Sequence, residues 1–400
     1  MKEQNFLTER RRFLRTLGQI SGALFLSTEI LPDKLLAQVK ESAPEPQTFP
    51  GKEKMIVLSR KPIVLEMPPE GFEHFITPNE LFFVRNNTSM PELSLKDWKL
   101  TITGEVKNPL NLTMEDLKKF KEVESLITLE CYGNGRSFFE PKASGNQWKK
   151  GGIGTALWKG VRLKDVLEKA RITDRAKHVI FDGADEPFTP NSPDFRRSIP
   201  IEKALSPETL LVYEMNGKPL PIYHGYPLRV LVPGWGGAAS VKWLINITVS
   251  DREYDGFYMV DKYRHPLYQT KPGTKLSPKD MFVLTELDVK SIITSPLPES
   301  RISGEKIVIK GYAWTGEGHI RKVEVSTDSG RSWHKAKIVR DEGKYVWCSW
   351  MYEWQPPQKG YYTIISKATD NRGRSQPILP LWNQDGYLYN AIDMVGVYVV

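Results

Sequence analysis

The 400-residue chain is 40% hydrophobic and carries a formal net charge of +8, an ordinary globular composition with room for two or three domains. Its basic residues are mixed with acids, and outside the N-terminus no Lys/Arg run exceeds three, which argues against nucleic acid and favours a small anionic substrate or cofactor. Two cysteines, Cys131 and Cys348, exclude a disulfide scaffold, a cysteine-rich zinc site and an iron–sulfur cluster built by this chain alone, and no CxxCH motif attaches a c-type haem.

Residues 9–15 read Glu-Arg-Arg-Arg-Phe-Leu-Arg and precede a short apolar run over 17–31, broken by Gly18, Ser21, Gly22 and Ser27. A positive segment followed by such a run is the pattern of a signal peptide. The order Arg10-Arg11-x-Phe13-Leu14-Arg15 resembles the twin-arginine export signal. The run is too short and too polar for a membrane span. The expected signal covers residues 1–37. Leu35, three residues from a cut after Ala37, is a poor choice there, so an uncleaved tether stays open. Twin-arginine substrates cross folded, commonly with a cofactor already inserted. The expected location is therefore periplasmic or otherwise extracytoplasmic, and the rest of the chain is expected to hold a cofactor site.

Residues 38–55, polar and punctuated by Pro44 and Pro46, read as a linker. Over 56–275 short strands and helices alternate. Residues 98–106 (WKLTITGEV) read as a strand. Thr113, with Asp116 three residues on, reads as a helix cap, and RLKDVLEKA over 162–170 has helical spacing. PLRVLVP and WLINITVS read as strands. Over 276–400 period-2 strands separated by Gly, Asp and Asn turns indicate an immunoglobulin-like β-sandwich. The predicted class is α+β: a mixed α/β domain over 56–275 followed by the sandwich over 276–400.

Within the first domain, Cys131 follows a strand-like run and precedes Gly133, Asn134, Gly135 and Arg136. Glycines let the backbone turn sharply beside a ligand, and a neighbouring cation favours the thiolate, a soft ligand for a redox metal. On composition alone an inert buried cysteine is as good a reading. Arg85 closes an apolar run in FFVRNN. His224, Arg229 and Lys242 surround the Gly-rich bend at 234–237 and the small residues Ala238, Ala239 and Ser240, a set suited to phosphate and a polar heterocycle. A solvated basic strand face is the competing reading.

In their order, the blocks FFVRN, ITLECYGNGR, QWKKGGIGTALWKGVRLKDVL, LLVYEMNGKPLPIYHGYPLRVLVPGWGGAASVKWL, IKGYAWTGEGHIRKVEVSTDSGRSW and PLWNQDGYLYN resemble the sulfite oxidase family of molybdopterin enzymes. The resemblance implies one molybdenum held by a single pyranopterin and by the thiolate of Cys131, with no haem in this chain. It places pterin and phosphate contacts at Arg85, Asn86, Asn87, Asp185, His224, Arg229, Ser240, Val241 and Lys242, and a substrate pocket at Arg85, Arg136, Trp148 and Tyr263. It further implies sulfite as substrate, an external acceptor such as a c-type cytochrome, and a homodimer formed through the sandwich.

Three positions depart from the family pattern: Asn87 stands where a His is common, and Ser144 and His319 where basic residues are expected. A less positive pocket keeps open an S- or N-oxide reductase and a sulfur-oxidation subunit acting on a carrier-bound sulfur. A cofactor-free binding protein is the remote alternative. Cys348, between Trp347 and Trp350, reads as core; a Cys131–Cys348 disulfide would consume the metal ligand.

Overall fold

The computed structural model describes residues 48–400. The expected export signal and the first part of the expected linker, 38–47, lie outside the described residues. Residues 49–55, expected as the end of that linker, instead pack against the first domain, with Phe49, Lys52 and Met55 buried.

The chain enters through β1 (Ile56–Arg60), β2 (Ile63–Glu66) and β3 (Val84–Arg85), an antiparallel sheet whose last residue is Arg85. It continues through β4 (Leu100–Gly104), β5 (Leu110–Leu112), α1 (Met114–Leu117), β6 (Glu122–Glu130), β7 (Ile153–Arg162), α2 (Leu163–Ala170), β8 (His178–Gly183) and β9 (Arg196–Pro200). Then come α3 (Ile201–Ala204), β10 (Leu210–Met215), β11 (Lys218–Pro219), β12 (Arg229–Leu231), β13 (Leu244–Ser250) and α4 (Phe257–Val260). The order β5-β4-β13-β8-β9 forms one sheet, in which β4 and β13 run parallel. A second has the order β11-β10-β7-β6, with β12 also paired to β10. The cap at Thr113 forms as its spacing predicts. The Asp116 amide donates to the Thr113 hydroxyl at 3.2 Å, and the Thr113 amide donates to the Asp116 carboxylate at 3.1 Å. Helix α2 buries Leu163, Val166, Leu167 and Ala170, the stripe its sequence spaces at helical intervals.

A short pair, β14 (Arg264–Pro266) and β15 (Met281–Val283), leads into the sandwich. Its strands are β16 (Lys290–Ser295), β17 (Arg301–Ile302), β18 (Ile307–Trp314), β19 (Ile320–Ser326), β20 (His334–Lys335), β21 (Lys337–Arg340), β22 (Cys348–Trp354), β23 (Gly360–Asp370) and β24 (Asp393–Val399). They form two sheets, β16-β18-β22-β21 and β17-β24-β23-β19-β20. Alternation does the sorting: Ile307 and Ile309 of β18 face Val323, Ile364, Ala368 and Val397, while Lys310 is exposed.

The two domains meet at the end of β6, which is why its last four residues are buried although its first are not. The Thr128 amide donates to the Tyr345 carbonyl at 2.9 Å, and the Trp347 amide donates to the Thr128 hydroxyl at 2.8 Å. Glu130 is the hub of this seam. It accepts from Lys290 of β16 at 2.9 Å, from Asn134 at 2.9 Å and from the Trp314 indole at 2.7 Å. The residue after it is Cys131, so the sandwich fixes the root of the cysteine turn.

Candidate active site

The cysteine turn is held by its own backbone. The Cys131 amide donates to the Gly152 carbonyl at 2.8 Å, and the Cys131 and Gly133 carbonyls accept from the amides of Asn134 at 2.9 Å and Arg136 at 3.0 Å. Gly135 supplies the required left-handed bend at φ 91°. At Gly133 a Cβ would lie 2.8 Å from the Arg136 guanidinium, so this glycine lets the arginine fold back over the turn. Cys131 and Cys348 are both free and both buried.

Cys131 lines a cavity of about 690 Å³ counted out to its open mouth. Phe82, Phe83, Arg85, Asn86, Asn87, Tyr132, Asp185, His224, Arg229, Gly237, Ser240, Val241, Lys242, Trp243 and Tyr263 share its walls. The structure thus gathers eleven of the thirteen sequence-predicted site residues, from segments spread between β3 and the loop after α4. The other two, Arg136 and Trp148, stand beside the cavity. Arg136 donates to the carbonyls of Asp385 at 2.7 Å and Asn146 at 3.0 Å and lies over the Tyr387 ring at 5.1 Å. Trp148 packs edge-on against Phe83 at 6.0 Å, its indole N–H buried without a partner. Burial pushes the Cys131 thiol up, and the charges of Arg85 and Arg136 pull it back down.

One side of the cavity is crowded with bases. Lys242 donates to Asn86 Oδ1 and to the Tyr223 carbonyl at 3.0 Å. Arg229 donates to the carbonyls of His224 at 3.1 Å and Ser240 at 2.8 Å, leaving its buried Nε without a partner. The Ser240 hydroxyl accepts from the Val232 amide at 3.0 Å. Lys52, from the segment expected as linker, reaches His224 Nε2 at 2.8 Å and the carbonyls of Phe82 at 2.7 Å and of Asn79. Asp185, bonded to Thr88, is the carboxylate of this wall.

Desolvation and mutual repulsion follow. Burial lowers Lys52 to about 7 and Arg229 to about 9. Burial, and then the charges of Lys52, Lys242 and Arg229, hold His224 well below its usual range. Lys242 is likewise lowered by burial and by Arg229, and burial raises Asp185 to about 6. Four buried bases against one buried carboxylate, with the exposed Glu80 also acting on Lys52, make a site that a bound anion would complete. The donor set therefore fits the phosphate and heterocycle of a pyranopterin. Among the described residues no three His, Cys, Asp or Glu side chains converge to hold a metal, so a metal here would depend on the single sulfur of Cys131 and on the cofactor.

The other side is aromatic and arginine-rich. Asn87 Oδ1 accepts from Arg85 Nη2 at 2.7 Å and from the Tyr263 hydroxyl at 3.1 Å. Tyr263 has φ 56° and Trp243, across the cavity, φ 50°. Left-handed backbone is rare for bulky residues and persists where surrounding packing enforces it. Tyr263 stacks on Tyr387, with centroids 5.4 Å apart and planes at 21°, and lies beneath the Arg197 guanidinium.

Several of these residues escaped the sequence reading. Lys52 and Arg197 carry no local signal for a site. Tyr387 sits in the quoted block PLWNQDGYLYN, which was read only as resemblance. Of the departures, Asn87 is in the pocket. Ser144 is exposed and donates to the Gln384 carbonyl at 3.3 Å, next to Gly145, where a Cβ would lie 3.1 Å from Arg136. The pocket position expected at His319 is corrected: His319 is exposed on the sandwich, its backbone bonded to Asn371. The segment that reaches Arg136 from the sandwich is instead that of Asp385 and Gly386.

The oxidoreductase molybdopterin binding domain family matches residues 87–258, and the Mo-co oxidoreductase dimerisation domain family matches residues 281–399. Mitochondrial sulfite oxidase of Mus musculus is 37% identical over 367 residues, an alignment covering 86% of this chain and 65% of that protein. Sulfite oxidase of Gallus gallus is 35% identical over 391 residues, covering 91% of this chain and 82% of that protein. The sulfane dehydrogenase SoxCD of Paracoccus pantotrophus superposes with a TM-score of 0.73 at 28% identity, covering 93% of this chain and 92% of that chain. The chain spans 65% of the length of the mouse relative, with both domains in the same order as the blocks read from sequence. On this evidence the chain belongs to the sulfite oxidase family of molybdopterin oxidoreductases.

Proposed function

We infer that this protein is a molybdenum-dependent oxidoreductase that converts sulfite and water into sulfate, two protons and two electrons. The electrons go to an external acceptor, a c-type cytochrome. The observation that carries this reading is one buried thiol, Cys131, on a cavity whose bases outnumber its acids, with Arg85 and Arg136 as the positive charges acting on the sulfur. Cys131 is the protein ligand of the metal. Arg229, Lys242, His224, Ser240 and Val241, with Asn86 and Asp185, hold the pterin and its phosphate. When bound, the group supplies two-electron redox chemistry and oxygen-atom transfer.

The chain's own residues do the rest. Arg85 presents a planar fork that grips two oxygens of a pyramidal dianion and leaves the sulfur lone pair free. Asn87 sets the angle of that fork and, through the same oxygen, the position of the Tyr263 hydroxyl. Arg136 adds charge from its place over the turn. Phe82, Phe83 and Trp148 keep water from the sulfur and strengthen each charge interaction. The test is steady-state turnover of the metal-loaded protein. Sulfite oxidation with ferricyanide or cytochrome c supports the reading; turnover of only a sulfoxide or N-oxide with reduced viologen replaces it.

The SoxCD superposition favours one second reading, a dehydrogenase of sulfane sulfur held on a carrier. A thiol-bound persulfide supplied as substrate separates the two.

Residues 1–37 act as a twin-arginine signal that exports the folded, loaded protein to the periplasm. Replacing Arg10 and Arg11 by Lys should leave it in the cytoplasm on fractionation. The domain matched over 281–399 supports a homodimer, which light scattering tests. Exposed Tyr361, Met394 and Tyr398 on β23 and β24 are apolar surface for that contact.

A further inference from the structure

Strand β9 carries two adjacent arginines that alternation sends to opposite faces. Arg196 points outward and pairs with Asp182 at 3.1 Å and Asp194 at 2.9 Å. Arg197 points inward and is 1% exposed. Its guanidinium lies 5.2 Å from the centroid of the Tyr263 ring, and its Nη1 donates to the Tyr258 carbonyl. Its Nε is buried without a partner. The phenols of Tyr132, Tyr263 and Tyr387 act on it more strongly than the carboxylate of Glu253. Among the described residues no acid pairs with it.

A guanidinium stripped of water with no carboxylate is costly unless an anion completes it. The anion pocket is one ring away. Tyr263 lines the cavity, and its hydroxyl shares Asn87 Oδ1 with Arg85. The Tyr263 backbone is left-handed, so the ring depends on what packs against it: Tyr387 and Arg197 most closely, with Tyr132, Phe195 and Tyr258 around its edge. A charge in this position is shielded from salt, and its field acts on the pocket through protein rather than water.

We propose that Arg197 is a specificity-determining residue: it supplies a third positive charge behind Tyr263, beyond those of Arg85 and Arg136, and so sets the pocket for a doubly charged anion. This rests on the reading of the pocket as an anion site, but not on turnover. A doubly charged oxyanion gains twice what a singly charged one gains from the same field, so the preference shows in binding alone.

The test is calorimetric binding of sulfate and of methanesulfonate to the metal-loaded protein, whose phosphate wall is already occupied. The wild type should bind sulfate more tightly than methanesulfonate. Arg197→Gln should weaken sulfate by about 30-fold or more and methanesulfonate by much less. Arg197→Lys, which keeps the charge, should stay within about threefold of the wild type for sulfate, since charge rather than shape is what it must replace. Equal losses in the two variants, or an unchanged sulfate affinity in Arg197→Gln, overturn the proposal. If neither variant folds, the wild type still decides: absent sulfate binding, or equal affinity for the two anions, overturns it. A protein that prefers sulfate through Arg197 yet never oxidises sulfite keeps this inference and loses the proposed reaction.

Discussion

Cys131 and Cys348 sit in two regions that burial alone does not distinguish. Both thiols are free and buried, and burial raises both, Cys348 to about 12. Cys348 opens β22 in the sandwich core, opposite Ala313 and among Ile309, Val323 and Trp350, and the charge of Asp341 raises it further. Cys131 follows β6 directly, at a cavity, with Arg85 and Arg136 acting to lower it. The difference lies in the neighbours. A thiol is suited to hold a metal where the chain supplies cations and an opening, and is a small hydrophobe where it supplies only core.

The largest test separates these two directly. Cys131→Ser should abolish bound molybdenum by elemental analysis and lower sulfite turnover by about 10³-fold or more. Cys348→Ala should keep the metal content and turnover and lose about 1–2 kcal/mol of stability, read by denaturant unfolding. Metal retained at full stoichiometry in Cys131→Ser would remove the contrast.

The next test attacks the seam that holds the cysteine turn. Lys290 and Glu130 are a buried ion pair, with side chains 8% and 6% exposed, and the same carboxylate anchors Trp314 and Asn134. Lys290→Met leaves Glu130 charged and unpaired, at a cost of about 3–5 kcal/mol in stability. The sandwich surface distant from β6 offers no equivalent: Lys306 and Glu353 are both about half exposed, and Lys306→Met should change stability by less than about 1 kcal/mol. Chemical denaturation of the two variants side by side reads the difference.

The sequence made the sandwich legible because alternation survives in β18, β19, β22 and β23, each half-buried with turn residues between. In the first domain the capped helix at Thr113 and the stripe of α2 were equally plain. The site was legible where it is continuous: Cys131 with Arg136, and His224 through Lys242, fall in single stretches rich in Gly. Lys52 and Arg197 were not, because nothing local marks a lysine after Phe49 or the inner member of an Arg-Arg pair. Their roles arise from packing against residues that line the cavity, Arg197 of β9 on Tyr263 and Lys52 of the N-terminal segment on His224, which is tertiary information. His319 was misplaced for the same reason: a short turn motif carries no record of which domain face it ends on.

The basic wall makes a pH prediction for the metal-free protein. Lys52 falls from the ordinary lysine value to about 7 in the folded state, so between pH 7 and about 10 the unfolded chain holds the extra proton. Its contribution is full above the unfolded value and is lost as pH falls towards 7. Cofactor-free protein should therefore gain about 2 kcal/mol from Lys52 between pH 7 and pH 9. His224, lowered well below its usual value, acts in the same direction as pH rises through the region of its unfolded value. Thermal unfolding across this range should show the rise, and loading with cofactor should flatten it, because a bound phosphate gives the protonated lysine its counter-charge. Cys348 and its apolar surroundings predict no such response, so a slope that persists after loading would place its source elsewhere.

The smallest effect concerns Asn87, which carries no charge and need not touch the metal. Its side-chain oxygen accepts from both Arg85 and the Tyr263 hydroxyl, so two pocket groups take their orientation from one atom. Asn87→Ala frees both without removing either. A hydrogen bond to a charged group is worth about 1.5–3 kcal/mol, and part of that returns when Arg85 finds a carbonyl or water. The expected loss in kcat/KM for sulfite is therefore about tenfold, with metal content and stability near wild type. Asn87→Asp tests the same oxygen with opposite charge logic. The carboxylate would still accept both bonds, but it would neutralise Arg85 where the proposed dianion would bind. It should raise KM more than Asn87→Ala does while leaving Tyr263 in place. If the two substitutions behave alike, Asn87 acts only by holding geometry; if Asp is the worse, the net charge at this end of the cavity is what the substrate reads.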